Sequence, residues 1–259
     1  MTLVVALKGR ITKDSNEEGV VIASDTQASS YIKSPMRKVF QLESLPILIG
    51  SSGSVSLSRH IIHGLDRISQ DFHRKMKGSI SCEDFDDFVN SEVELYLREV
   101  VMFHPDVIEQ SGLSLILSFS DAAHVRLYEV QSDGIPMRMD HDPGYCCIGS
   151  GFATGGNLLI KQFYTPDSSL VQLMKLASYM IFQVSDVDPF VGGSIQMKLN
   201  FGGKAMNPKE NLLLEDVQLR SETIRRVWDL LANQDIDFER RFNLALKKGQ
   251  FQGIMKNVR

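Results

Sequence analysis

The chain has 259 residues, 43% of them hydrophobic and 23% charged, with a formal net charge of −4. That is ample apolar material for a continuous buried core, which excludes disordered and fibrous classes. Its 28 Lys and Arg are scattered rather than clustered, which leaves no electrostatic footprint for nucleic acid or an anionic membrane.

The first segment, "MTLVVALKGR", carries an apolar run of five residues with no basic stretch ahead of it and Lys8 directly behind. It fails as a signal peptide. No stretch approaches the roughly eighteen apolar residues that span a bilayer, so no membrane partner is expected. The three cysteines, Cys82, Cys146 and Cys147, are odd in number, and the adjacent pair lies in the apolar run "YCCIGSG". Buried small hydrophobes in a reducing cytoplasm fit them better than a disulfide framework or a metal cage. The expected location is therefore cytoplasmic.

Short β-rich runs fill the first fifty residues: "TLVVALKG", "GVVIASDT", "RKVFQL" and "PILIGSSG", each ended by Gly, Asp, Ser or Pro. They predict successive antiparallel strands, with the polar "RITKDSNEEG" as an exposed hairpin loop. From Ser54 the period changes. Ile61, Leu65, Ile68, Phe72 and Met76 form the stripe of an amphipathic helix. A second helix carries Phe85, Val89, Val93, Tyr96, Val100 and Phe103 and stops before Pro105. Strands return as "LSLILSFS", "HVRLYEV", "IPMRMD" and "YCCIGSG", the second and third joined by a turn containing "SDG".

A second helical pair is predicted at about 153–165 and 168–185, the latter with Leu170, Leu173, Met174, Ala177 and Ile181 on one face. The strand "SIQMKLNF" follows. Helices segregated in pairs around antiparallel strands predict an α+β fold, a four-layer αββα sandwich of two antiparallel sheets over residues 1–201. The loop "GGKAMNPKEN" then leads into a helical C-terminal extension, 202–259, expected to pack on the domain or on a neighbouring subunit. Its runs "ERR" and "LKK" read as a solvated face.

Motif searches leave little. There is no Walker-type loop, no G-x-S-x-G and no H-E-x-x-H. His60 and His63 are spaced i, i+3, but the pair reads as surface or core-edge side chains, so neither a metal nor a cofactor is expected. The informative residues lie at strand ends: Asp25 closes "GVVIASDT", Lys38 opens "KVFQL", Gly50 and Gly53 frame "GSSG", and Ser150 sits in "IGSGF". Singly, each has a bland account as turn chemistry or a solvated side chain.

With Thr2 they acquire mechanical sense. Removal of Met1 would leave Thr2 with a hydroxyl nucleophile and a free α-amine, whose ordinary pKa of about 7.7–8.0 suits a general base at neutral pH. A buried Lys38 ammonium would lower the pKa of that amine, and Asp25 would hold the lysine charged and oriented. Gly53 can present its backbone N–H to a developing oxyanion.

These residues resemble the proteasome β-type subunits, with the bacterial proteasome-like peptidases, in the N-terminal nucleophile hydrolase superfamily. The matching stretches are "TLVVALKG", "GVVIASDTQAS", "MRKVFQL", "ILIGSSGS", "CCIGSGF" and "DPFVGGSIQM", in order from residue 2 to about 201. The resemblance implies Thr2 as nucleophile, Asp25 and Lys38 as its charge pair, Gly53 as oxyanion donor, and Ser150 and Asp188 as polar residues near the threonine amine. It further implies Gln27 and Ser29 on the strand that pairs with substrate backbone, and Ala28, Met36 and Val55 in a pocket for an apolar residue before the cut. One departure is plain: Val191 stands where β-type subunits usually place a serine.

The function so implied is a threonine-type peptidase that works through an acyl-enzyme on Thr2, enclosed in a self-compartmentalised homo-oligomeric ring. Its partners would be peptide or unfolded-protein substrates and a possible ATPase unfoldase. Two other readings use the same residues: a peptide ligase or transpeptidase in which an amine intercepts the acyl-enzyme, and a non-catalytic scaffold subunit, for which Val191 and the extension are the motive.

Overall fold

In the computed structural model the described residues are 2–28, 34–76 and 78–208. The chain divides into two units, Met1–Leu214 and Glu215–Arg259. The helices expected in the C-terminal extension lie outside the described residues.

Strands β1 (Val4–Arg10) and β2 (Glu18–Asp25) form a hairpin in full register from Val4↔Ser24 to Arg10↔Glu18. Two short strands follow, β3 (Gln27–Ala28) and β4 (Ser34–Pro35), paired only with each other. Then come β5 (Val39–Gln41) and β6 (Leu48–Gly53). Helix α1 (Val55–Lys75) starts at Ser54, whose hydroxyl accepts from Leu57 N, and buries Leu57, Ile61, Leu65 and Phe72.

Helix α2 (Cys82–Phe88) opens on a reciprocal Ser81–Asp84 capping box and runs through a π turn at Val89–Val93 into α3 (Glu94–Phe103). The helix ends before Pro105 as expected, but Pro105 itself opens a further short helix, α4 (Pro105–Ser111). A proline has no N–H to lose at a first helical position, so the same residue ends one helix and starts the next.

Strands β7 (Leu113–Ser120), β8 (Val125–Val130), β9 (Pro136–Arg138) and β10 (Tyr145–Ile148) follow. The second helical pair is a π turn at Phe152–Gly156 leading into α5 (Asn157–Phe163), then α6 (Leu170–Ser185), which is capped by Ser169 and Gln172. Strand β11 (Ile195–Phe201) comes next. The expected loop after Phe201 turns back at Gly202–Gly203 into β12 (Lys204–Met206), which pairs with β11.

The strands form two five-stranded antiparallel sheets, ordered β10-β1-β2-β11-β12 and β5-β6-β7-β8-β9. Three apolar clusters fill the spaces between layers. Phe72, Phe85, Phe88, Leu97 and Leu117 pack α1–α3 onto the second sheet. Leu3, Val5, Leu173, Ala177 and Ile181 pack α5 and α6 onto the first. Val4, Ala6, Ile22, Leu48 and Ile116 lie between the sheets. The αββα sandwich follows, and it explains why "LVVAL" lacks polar alternation: β1 is apolar on both faces because one meets helices and the other meets a sheet.

Candidate active site

The two sheets bring the ends of β2 and β5 to the start of β1. Asp25, the last residue of β2, is fully buried. Its Oδ1 accepts from the Thr2 hydroxyl and from Leu3 N at 2.9 Å. Its Oδ2 accepts from Lys38 Nζ at 2.8 Å, Gln27 N at 3.1 Å and Gly192 N at 3.2 Å. Five donors offset the desolvation of one carboxylate.

Lys38 precedes β5 and is 7% exposed. Its Nζ donates to Thr2 Oγ1 at 2.5 Å, Asp25 Oδ2 at 2.8 Å and Gln27 O at 2.6 Å. Burial pushes the ammonium below the usual lysine range, and the charge and hydrogen bond of Asp25 oppose the shift without cancelling it. The Thr2 hydroxyl thus sits between a carboxylate that accepts its hydrogen bond and an amine that donates to its oxygen, in a site where Thr2 is 3% exposed.

The Thr2 backbone is tied as firmly. Its carbonyl accepts from Gly151 N at 3.1 Å, and Asp25 N donates to Leu3 O at 3.3 Å. Gly149 makes the approach possible: at φ +95° it turns β10 away, and a Cβ there would lie 2.2 Å from Thr2 O. Gly53 ends β6 at φ +110°, where a side chain would meet Gly112 O at 2.3 Å. Two residues before it, Ser51 N donates to Lys38 O at 2.9 Å, which carries the β5–β6 register up to the lysine.

Ser150 Oγ donates to Asp188 Oδ2 at 3.2 Å, and Thr154 Oγ1 donates to the same oxygen at 3.0 Å. Asp188 is 2% exposed, and its Oδ1 accepts from Phe190 N at 2.9 Å. Val191 is buried in the helix-side apolar cluster, with its N–H on Asp188 O. Its side chain therefore extends the core. Gln27 lies on β3; its side-chain amide donates to Pro189 O at 2.8 Å and so ties that strand to the loop carrying Gly192. Ala28 follows Gln27 on β3, Met36 is half-buried with its N–H on Thr26 O, and Val55 opens α1 and is 40% exposed. Ser29 lies outside the described residues.

Three participants went unread in the sequence. Thr154 completes the hold on Asp188, and Gly192 donates to Asp25 although it sits in the quoted "DPFVGGS". Gln196 Oε1 accepts from Lys38 N at 2.8 Å and Val39 N at 3.4 Å. A lone polar residue in a strand reads as an ordinary solvent-facing position, and no local pattern marks a contact 158 residues away. Among the described residues, His60 and His63 are exposed on α1 and no group of three or more His, Cys, Asp or Glu is placed to hold a metal ion. All three cysteines are free and buried, and burial pushes the Cys82 and Cys147 thiols up to about 12. No described helix is long and apolar enough to cross a membrane.

A family profile described as Proteasome subunit matches residues 15–199, well over half of the chain. The chain belongs to the proteasome subunit family. Among solved structures, the fold of this proteasome-family chain is similar to that of Anbu (ancestral beta-subunit) from Yersinia bercovieri, with a TM-score of 0.65 and 17% identity over 88% of this chain and 97% of that one. No curated protein sequence matches it. A proteasome-like subunit of N-terminal nucleophile hydrolase fold is the description these findings carry.

Proposed function

We propose that this proteasome-like subunit is a threonine-type peptidase that cleaves peptide bonds through an acyl-enzyme on Thr2. The observation that carries the reading is the buried Thr2 hydroxyl held between Lys38 Nζ and the Asp25 carboxylate. Hydrolysis of the Met1–Thr2 bond frees an α-amine on the same residue as the hydroxyl. That amine takes the hydroxyl proton as Oγ1 attacks the substrate carbonyl carbon. The Gly53 N–H receives the negative charge that develops on the carbonyl oxygen. Collapse breaks the C–N bond, the α-ammonium protonates the departing amine, and an ester on Oγ1 remains. Water, deprotonated by the same amine, hydrolyses the ester.

Lys38 supports both halves. Its positive charge beside Oγ1 favours the developing alkoxide and lowers the basicity of the neighbouring amine toward neutral pH. Ser150 and Asp188 are assigned to the amine side of the site. Gln27 and Ser29 are assigned to the substrate backbone, on a short strand outside both main sheets where an extended peptide can add. Ala28, Met36 and Val55 are assigned to a pocket for an apolar residue before the cut. Membership of the proteasome family supports a homo-oligomeric ring that encloses the sites in the cytoplasm, fed by an ATPase unfoldase.

The test has two parts. Intact mass of the purified protein reports whether one methionine residue is lost, and hydrolysis of apolar fluorogenic peptides is compared between wild type and Thr2→Ala. Loss of Met1 with activity that vanishes in Thr2→Ala is expected. Retained Met1 with no hydrolysis, or hydrolysis unchanged in Thr2→Ala, overturns the reading.

A further inference from the structure

Lys38 must place one nitrogen within 2.5–2.8 Å of three acceptors, yet it enters a strand at the edge of its sheet. On one side β6 holds it, through Ser51 N on Lys38 O. On the other side β5 has no strand neighbour among the described residues, and unpaired edge backbone of this kind is normally free to shift. Gln196 fills that role from the opposite sheet. It stands on β11 directly across from Ser24 of β2, one step from the Ile195↔Asp25 pair, so the ladder that fixes Asp25 also fixes Gln196. Its Oε1 reaches across the gap and accepts both Lys38 N and Val39 N.

From this we infer that Gln196 is the positioning residue for Lys38: a side-chain amide that substitutes for a missing strand and locks the lysine backbone to the sheet carrying Asp25. It touches no reacting atom. Its effect passes through the Lys38 backbone to Nζ, where a displacement of about 1 Å is enough to cost on the order of 100-fold in rate. The kinetic consequence rests on the peptidase reading above; the structural one does not. A cavity of about 370 Å³ opens beside Gln196, lined also by Arg37, Val39, Met197 and Asn207, so a side chain of similar length finds room there.

Two variants separate the acceptor from the bulk. Gln196→Met keeps length and removes the acceptor, whereas Gln196→Glu keeps an acceptor oxygen. Modification of the Lys38 amine in the full chain by an acid anhydride, followed across pH by mass spectrometry of the proteolytic peptide that carries Lys38, reads the position of the lysine whether or not the protein turns over. Expected is Lys38 modification at least about tenfold faster in Gln196→Met than in wild type, with Gln196→Glu restoring the slow rate. Peptide hydrolysis should show kcat lowered on the order of 10- to 100-fold in Gln196→Met with KM within about twofold. Equal modification of Lys38 in wild type and Gln196→Met, or failure of Gln196→Glu to restore protection, overturns the inference. A wild-type protein that hydrolyses nothing sinks the peptidase reading instead, and the modification rates then decide this one.

Discussion

Two ionic clusters in the chain use similar ingredients and reach opposite states. Between α2 and the β8–β9 hairpin, Asp86 accepts from Arg126 Nε at 2.8 and 2.9 Å, Arg138 Nη1 at 3.2 Å and the Tyr128 hydroxyl at 2.5 Å. Asp140 takes a two-pronged grip from Arg138 at 2.8 and 3.0 Å. For Arg126 and Asp140, burial works against the charged form and the partners outweigh it, so the arginine is raised and the carboxyl lowered. Hydrogen bonding to Asp140 raises Arg138, and burial followed by Asp86 raises Tyr128. Arg126, Arg138, Asp140 and Tyr128 are each driven deeper into the state they already hold at neutral pH.

At the start of β1 the balance runs the other way. Lys38 has one carboxylate, a hydroxyl and a carbonyl as partners, and burial wins, so the ammonium moves toward titration. The planar guanidinium forks of Arg126 and Arg138 saturate their carboxylates; the single amine of Lys38 cannot. Counting ion pairs therefore does not distinguish the candidate site from the other cluster. The direction in which burial and pairing resolve does.

The sharpest way to break this contrast is Thr2→Ala, expected to lower peptide hydrolysis on the order of 10⁴-fold or more while urea unfolding barely moves. The reverse pattern is expected for Arg126→Met, which removes the buried guanidinium and leaves the half-buried Asp86 carboxylate with only Arg138 and Tyr128 as partners. It should lose about 3–5 kcal/mol in urea unfolding, with unchanged turnover per folded molecule. Val191→Ser asks whether the candidate site gains from a hydroxyl at this position: in an apolar cluster that serine should cost about 1–3 kcal/mol, with hydrolysis by the folded protein no faster.

The smallest effects are in pH. Asp140 ionises more readily folded than unfolded, so the unfolded chain binds more protons just below about pH 4. Its stabilisation is complete above that value and is lost as pH falls toward the folded pKa, and Asp140→Asn should flatten this acid limb of the stability profile. Lys38 also has a lowered folded pKa, so the unfolded chain again binds more protons, now in the window below 10.5. Stability should climb with pH through that alkaline window in wild type and lose the climb in Lys38→Met. A matching climb in both proteins would refute the lowered lysine.

Much of this was legible in the chain. Strand runs punctuated by Gly and Asp, and the stripe on α1, report local periodicity, which survives folding unchanged. Thr2, Asp25 and Lys38 could be placed together because each marks the end of a strand, and strand ends in a stacked pair of sheets converge. Gln196 and Thr154 could not, since their partners are set by register between layers and leave no trace in neighbouring residues. Strand β12 was hidden for a different reason. The Gly202–Gly203 turn reads equally as a loop, and Lys204–Met206 is too short to show alternation, so only its pairing with β11 defines it.

The ties on the backbone of Thr2 have a consequence for what processing changes. Beyond its Cα, the chain is anchored at the Thr2 carbonyl by Gly151, at Leu3 N by the Asp25 side chain, and at Leu3 O by the Asp25 backbone. Strand ends usually fray, and a newly cut one does so most. Here severing the bond before Thr2 leaves a terminus that cannot peel away, with the torsions around one Cα as its only new freedom. On the proposed reading, the nucleophile is in place before it is exposed, and the cut adds an amine to a finished site.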